Sequence, residues 1–159
     1  MKKIGLVVKT DDKAKKKADE LKQWLRSKKI EIVRQKTVES GQKNSADSLL
    51  PAPSDLDCIF VLGGDGTFLS AVRWIGDQKI PILGIKFGEV GFLAEIAEEN
   101  LYNAAEKVLK GDFILRPRMR LSVEVRRRNK TVTREAVLND VVINRGALAR
   151  LAYIETYID

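Results

Sequence analysis

The sequence predicts an α/β fold, a doubly wound parallel sheet followed by the first strands of an incomplete all-β second domain. Short runs rich in Ile and Val alternate with segments of helical periodicity through the N-terminal part of the chain. This rhythm is typical of parallel strands joined by helices. From Phe113 onward the pattern changes to β-rich segments in which apolar and polar residues alternate. The change predicts a domain boundary near Gly111 and Asp112.

In the first predicted domain, residues 1–111, the strands are expected at residues 3–9, 30–35, 57–62 and 80–85. Asp11 or Asp12 can cap the helix after the first strand. Apolar residues recur in that helix at helical spacing: Ala14, Ala18, Leu21, Trp24 and Leu25. Further helices are predicted at residues 68–75 and 98–110. Residues 37–54 are polar and carry Gly, Ser and Pro, which predicts a loop with Leu49 and Leu50 as its anchors.

The second predicted domain, residues 112–159, offers three strand-like segments at residues 118–128, 131–144 and 151–158, with a turn at Asn129 and Lys130. Three strands with alternating faces do not easily close a sandwich or a barrel. We therefore expect a truncated β-rich domain.

Composition and charge exclude several function classes. The net charge is +7, but the lysines of the first helix fall mostly on its solvent side without interleaved aromatic residues, so nucleic-acid binding is not expected. The chain contains no histidine, which excludes a Ser-His triad and histidine metal ligands. The one cysteine, Cys58, excludes an intrachain disulfide, and no apolar run approaches the length of a membrane span. We expect a cytoplasmic protein.

The most informative motif is Gly63-Gly64-Asp65-Gly66-Thr67, at the end of the third predicted strand. Glycines there let the backbone approach a phosphate, and the following helix directs its N-terminal amides at the same place. A carboxylate in such a loop repels phosphate unless it binds a metal ion or takes a proton from an attacking hydroxyl. The motif thus indicates phosphoryl transfer, and the structural alternative is a tight turn with a capping aspartate. Neither a GxxxxGK[ST] nor a GxGxxG motif occurs.

The segments GGDGT, FLSAVR, GIKFGEVGFL, LNDVVINRG and ARLAYIETYID resemble NAD kinases in content, order and spacing. GGDGT alone is shared with diacylglycerol kinases, sphingosine kinases and phosphofructokinases, whereas the later motifs are more specific for NAD kinases. The resemblance covers essentially the whole chain and implies a Rossmann-like nucleotide-binding domain. It also implies transfer of a phosphoryl group from ATP, or inorganic polyphosphate, to the 2′-hydroxyl of the adenosine ribose of NAD, giving NADP. Mg²⁺ is expected with the donor, and full-length members are expected to be homo-oligomers.

The resemblance also implies roles for the residues of the glycine-rich motif. Asp65 corresponds to the general base that activates the 2′-hydroxyl, and Gly66 packs close to the nucleotide. Gly63, Gly64 and Thr67 complete the phosphate loop. No protein side chain is assigned to the metal ion.

Four more residues match binding positions of the family. Asn139 and Asp140 match the pair that contacts the ribose and nicotinamide side of the dinucleotide, Phe92 matches an aromatic position beside the adenine, and Arg150 matches a position near the substrate. Without the resemblance, the first pair could be a bulge or turn, Phe92 a core residue and Arg150 solvated surface. Lys86 replaces the family's usual Asn, and no role is carried onto it.

Two further segments that help to hold the nucleotides in the family do not occur before Asp159. Since phosphoryl transfer depends on positioning, we expect this chain alone to be inactive or nearly so. A lipid kinase and a non-catalytic nucleotide-binding module are the alternative functions.

Overall fold

A computed structural model describes residues 1–35, 51–88, 91–142 and 154–158 of the chain. It divides into two compact units, Met1–Arg116 and Pro117–Asp159. Within the described residues, every helix falls short of the length and apolar character that crossing a membrane requires.

The first unit contains a five-stranded parallel sheet. Its strands are β1 (Lys3–Val8), β2 (Glu31–Arg34), β3 (Cys58–Gly63), β4 (Ile82–Lys86) and β5 (Ile96–Ala97), in the order β2-β1-β3-β4-β5. Every neighbouring pair is parallel. The predicted α/β class is confirmed, and β1 to β4 lie within two residues of their predicted bounds. The two-residue β5 was not predicted.

Among the described residues, two α-helices connect strands of this sheet and a third follows β5. Helix α1 (Asp12–Ser27) is capped by Asp11, whose carboxylate accepts a hydrogen bond of 2.8 Å from the backbone N–H of Ala14. Helix α2 (Asp65–Ile75) begins earlier than predicted, because Gly64 already takes the N-cap position. Helix α3 (Leu101–Lys110) follows one turn of 3₁₀ helix, Glu98–Asn100.

Apolar side chains cover both faces of the sheet, as a doubly wound fold requires. One face packs against α1 and α3 through a cluster that includes Leu6, Leu21, Phe60 and Leu101. The other face packs against α2 through a cluster that includes Val7, Ile59, Val61, Ala71 and Trp74. Because successive strand residues point to opposite faces, β1 and β3 contribute to both clusters.

The chain connects β1 to β2 on one side of the sheet and then passes to β3 on the other side of β1. The carboxyl ends of β1 and β3 are therefore the point at which the strand order reverses, where open α/β sheets bind ligands. The backbone N–H of Lys9 donates to Leu62 O at 2.9 Å across this point. The glycine-rich motif follows β3 directly, so it lies at this edge.

The second unit contains an antiparallel hairpin of β6 (Leu121–Arg127) and β7 (Lys130–Val137). The turn lies at Arg128 and Asn129, one residue earlier than predicted, and both residues have positive φ, as a tight hairpin turn requires. The third predicted strand, at residues 151–158, is wrong for its described part, since residues 154–158 form no strand. Most of the predicted loop, with Leu49 and Leu50, lies outside the described residues.

Candidate functional site

The glycine-rich loop is formed where β3 passes into α2. Gly63 is the last residue of β3, Gly64 is the N-cap, and Asp65 is the first residue of α2. The carbonyl oxygen of Gly64 accepts hydrogen bonds of 3.0 Å from the backbone N–H groups of both Thr67 and Phe68. The loop therefore closes the first turn of the helix and directs its positive end toward the edge of the sheet.

The glycines of this loop face different surroundings. A Cβ atom added to Gly63 would lie 2.3 Å from the Oγ1 of Thr67 and 2.6 Å from its Cβ, so the Thr67 side chain occupies that space. A Cβ atom added to Gly64 or Gly66 would meet nothing within 4 Å. The backbone at these two positions is open to the approach of a ligand, which is what a phosphate-binding loop needs.

Asp65 does not cap its own helix, because its carboxylate bonds to another loop. The backbone N–H of Phe92 donates to its Oδ2 at 2.9 Å, and the N–H of Leu93 donates to its Oδ1 at 3.0 Å. The structural alternative from the sequence, a tight turn with a helix-capping aspartate, is thus not what the structure shows. The carboxylate instead joins the start of α2 to the segment that follows β4.

The charge state of Asp65 follows from this environment. Burial raises the pKa of the carboxyl, but hydrogen bonds from the backbone N–H groups of Phe92, Leu93 and Ala94 together outweigh burial and hold the pKa below its ordinary value of 3.8. Asp65 is consequently ionised at neutral pH. An ionised carboxylate has about four lone-pair sites, so these backbone hydrogen bonds still leave its oxygens able to accept a hydroxyl proton.

Phe92 lies beside this carboxylate with 84% of its surface exposed, so the alternative that it is a core residue is wrong. Its neighbours Leu93 and Ala94 are buried. An exposed aromatic ring between an anchored backbone and buried neighbours offers a face on which a flat ligand can stack.

Gly91, to which the sequence motifs assign no role, lies against Asp65 in the structure. A Cβ atom added to Gly91 would lie 2.3 Å from Oδ1 and 2.8 Å from Cγ of Asp65. No local sequence pattern links Gly91 to Asp65, because Gly91 lies 26 positions later in the chain.

Lys86 brings positive charge to the same region. It ends β4 and pairs in register with Gly63. Its neighbours Ile85 and Phe87 belong to the cluster under α1 and α3, so Lys86 lies on the opposite face, which α2 covers. The lysine therefore lies at the α2 side of the sheet edge.

Asn139 and Asp140 belong to the second unit and follow β7. Both are exposed, the Nδ2 of Asn139 donates to Oδ2 of Asp140 at 3.1 Å, and the φ of Asn139 is 84°. An Asn tolerates this left-handed conformation better than most residues. Arg150 lies outside the described residues. The structure thus brings together five loop residues and Phe92 within the first unit and places the Asn-Asp pair in the second unit.

The described residues contain no group of three His, Cys, Asp or Glu side chains that could hold a metal ion. Mg²⁺ commonly binds through substrate phosphates and water with only one or two protein carboxylates. No protein ligand is therefore assigned to a divalent cation.

Comparison with known proteins identifies the family to which this arrangement belongs. The family model described as the ATP-NAD kinase N-terminal domain matches residues 4–113. The NAD kinase of Desulfatibacillum aliphaticivorans is 51% identical over 159 residues, which is 100% of this chain and 56% of the relative. The NAD kinase of Syntrophobacter fumaroxidans is 41% identical over 142 residues, covering 89% of this chain and 50% of the relative. The chain thus spans about half the length of these curated relatives.

A solved structure shows the same fold at much lower identity. The crystal structure of yeast NADH kinase complexed with NADH aligns with a TM-score of 0.64 and 18% identity, over 86% of this chain and 46% of that one. The family model covers the sheet, the glycine-rich loop and the segment that carries Gly91 and Phe92. The chain belongs to the NAD kinase family.

Proposed function

We propose that the protein transfers the γ-phosphoryl group of ATP to the 2′-hydroxyl of the adenosine ribose of NAD, giving NADP and ADP. The observation that carries the proposal is the ionised carboxylate of Asp65 beside an open glycine loop, at the sheet edge where the strand order reverses. The name shared by the curated relatives supports NAD as the acceptor. Inorganic polyphosphate is the other donor with the required phosphoanhydride.

The proposed step uses Asp65 as the proton acceptor. The 2′-oxygen forms a bond to the γ-phosphorus, the bond from that phosphorus to the bridging oxygen of ADP breaks, and the hydroxyl proton moves to the carboxylate. Because the pKa of Asp65 lies below its ordinary value, the carboxylate is ready to accept at neutral pH. The step needs the proton acceptor only late, when the attacking oxygen has become acidic, so a weak base is sufficient.

The glycine loop and its neighbours position the reactants in this proposal. Gly64 and Gly66 let the backbone approach the phosphates, with Gly63 and Thr67 fixing the turn beneath them. The positive end of α2 favours negative charge there. Lys86, on the α2 side of the same edge, adds to the positive potential that attracts a polyphosphate.

The remaining contacts that we propose with the dinucleotide are those that the family resemblance implies. Phe92 stacks against the adenine, and Asn139 and Asp140 contact the ribose and nicotinamide side. Arg150 contacts the substrate nearby. In this proposal, the predicted domain of residues 1–111 binds the nucleotide phosphates and the predicted β-rich domain of residues 112–159 holds NAD. Mg²⁺ accompanies ATP, and when bound it neutralises charge on the transferred phosphoryl group.

Three further properties of the protein remain predictions. They are a cytoplasmic location, a homo-oligomeric full-length enzyme, and little or no NADP formation by these 159 residues alone. The last follows because the relatives are nearly twice as long and phosphoryl transfer depends on the positioning of both substrates.

A chimera tests the proposed activity directly. The 159 residues replace the aligned region of the 51% identical relative, and NADP formation is followed with an NADP-specific dehydrogenase in the presence of NAD, ATP and Mg²⁺. We expect turnover by the chimera and a loss of about a hundredfold or more in kcat after Asp65→Asn, since Asn cannot accept the proton. The unmodified relative is the positive control. Equal kcat values for the chimera and its Asp65→Asn variant would contradict the role of Asp65.

A further inference from the structure

We propose that Asp65 is also a positioning residue, which fixes residues 91–93 against the start of α2 and so sets the place of Phe92 relative to the reacting hydroxyl. The two hydrogen bonds from Phe92 N–H and Leu93 N–H to the Asp65 carboxylate are called the Asp65 latch below. The inference rests on the proposed function, since it assigns the latch a purpose in holding one nucleoside.

The fit between Gly91 and the carboxylate is independent support for the latch. The φ of Gly91 is not among the positive values of the described residues, so its backbone conformation is open to other residues. Its obstacle to a side chain is Asp65 itself, whose Oδ1 would lie 2.3 Å from an added Cβ. A glycine is therefore needed at position 91 in order that the carboxylate can reach the next two amides.

The latch acts on a segment that is packed on its other side. Leu93 and Ala94 are buried, and a Cβ atom added to Gly84 would lie 2.9 Å from the Cα of Ala94 and 3.0 Å from the ring of Phe68. Close packing of this kind leaves the backbone little room to shift. Between the packed side and the latch, Phe92 projects outward with 84% of its surface exposed.

The two ends of the latch correspond to two parts of one nucleoside. In the proposed complex, the adenine lies beside Phe92 and the 2′-hydroxyl of the ribose attached to it meets the Asp65 carboxylate. The covalent structure of adenosine confines these groups to a narrow range of distances. A direct hydrogen-bonded link between Asp65 and the backbone of Phe92 limits the separation of the carboxylate and the ring in the protein, and thereby favours an adenosine 2′-hydroxyl over an alcohol on a flexible lipid.

The test compares Gly91→Ala with Gly64→Ala in the 159-residue chain. Gly91→Ala pushes the Asp65 carboxylate out of its position but leaves the carboxylate itself in the protein. Gly64→Ala adds the same methyl group at a place where nothing lies within 4 Å. NMR gives the amide proton shifts of Phe92 and Leu93 and the pKa of the Asp65 carboxyl. We expect Gly91→Ala to move both amide protons upfield and to raise the pKa of Asp65 toward 3.8, and Gly64→Ala to leave these three quantities as they are.

NAD titration supplies the functional readout. We expect the dissociation constant for NAD to rise about tenfold in Gly91→Ala, because the aromatic ring and the carboxylate are no longer held at a matched distance. The constant for ATP should change less than twofold, since its phosphates meet the glycine loop. Asp65→Asn should move the same two amide protons, because its amide group cannot accept from both N–H groups.

Each outcome separates the latch from the proposed function. Unchanged amide shifts and an unchanged Asp65 pKa in Gly91→Ala would overturn the latch while leaving the kinase proposal standing. Altered shifts with unchanged NAD affinity would show a structural bond without a positioning role, and would also overturn the inference. If the amide shifts respond as expected but the wild-type chain binds no NAD, the substrate assigned to this site is wrong, whereas the latch geometry holds.

Discussion

At the scale of single residues, neighbouring glycines of one loop do different things. Gly63 makes room for the Thr67 side chain, and Gly64 leaves the backbone open. The atoms that an added Cβ at Gly63 would meet include the Cβ of Thr67, which cannot move without the helix backbone. The first glycine of GGDGT is thus required by packing against Thr67, whereas the second leaves the backbone accessible to a ligand.

Gly63→Ala should lower the free energy of unfolding by about 1–3 kcal/mol, the range for overpacking a tight site. Gly64→Ala is the comparison and should lower it by less than about 1 kcal/mol, because the added methyl group meets nothing within 4 Å and only the preference for Gly over Ala at an N-cap is lost. Urea denaturation followed by tryptophan fluorescence measures both values. Equal destabilisation by the two substitutions would show that the Thr67 contact is not what requires glycine.

At the scale of secondary-structure elements, α1 owes its start to one side chain. The Asp11 carboxylate accepts from the Ala14 N–H, whereas Asp12, the next residue, forms only an exposed ion pair with Lys15 at 3.7 Å. The hydrogen bond from Ala14 N–H, followed by that from the Lys9 ammonium, holds the pKa of Asp11 below 3.8. Only the ionised carboxylate benefits from both partners.

Asp11→Ala should lower Tm by about 3 °C at pH 7, since an N-cap is lost. Asp12→Ala should have a much smaller effect. The contribution of Asp11 is present above its unfolded-state pKa and is lost as pH falls through its lower folded-state pKa. Circular dichroism melts at pH 7 and at successively lower pH should therefore show the difference in Tm between the two variants shrinking as the solution is acidified. A difference that stays constant throughout the acidification would contradict the ionised cap.

The elements differ in how far the sequence predicts them. Strands β1 to β4 are apolar runs with local signals, so their positions follow from pattern alone. Strand β5 has two residues and exists because Ile96 pairs with Ile85, a contact that no local pattern reveals. The Asp65 latch could not be predicted for the same reason, because Phe92 and Leu93 lie 27 and 28 positions after Asp65 in the sequence. The motif predicts that Asp65 is functional, and only the structure shows what holds it.

At the scale of the whole molecule, the buried thiol of Cys58 reports on how the sheet opens. Cys58 lies in β3, the central strand, and is the only cysteine in the chain. Burial raises the pKa of this thiol to about 12. A reactive thiolate therefore forms only when the strand is exposed to solvent.

A thiol-specific chromogenic reagent at pH 8 should label the native chain at least about a thousandfold more slowly than the urea-unfolded chain, because labelling must wait for an opening of the core. If the opening is a global unfolding, the labelling rate of the unfolded chain divided by that of the native chain should be smaller for Gly63→Ala than for the unsubstituted chain. Rapid labelling without denaturant would mean that β3 is not buried between the two helical layers.

The central claim is that one edge of the sheet, built from the glycine loop and the segment after β4, binds the adenosine part of NAD. Titration of the isotopically labelled 159-residue chain with NAD, followed by amide shifts, tests it most directly. The largest changes should fall on residues 63–67 and 91–94, and the exposed face of α3 should change little. Changes centred elsewhere, or saturable NAD binding that leaves both segments unmoved, would contradict it.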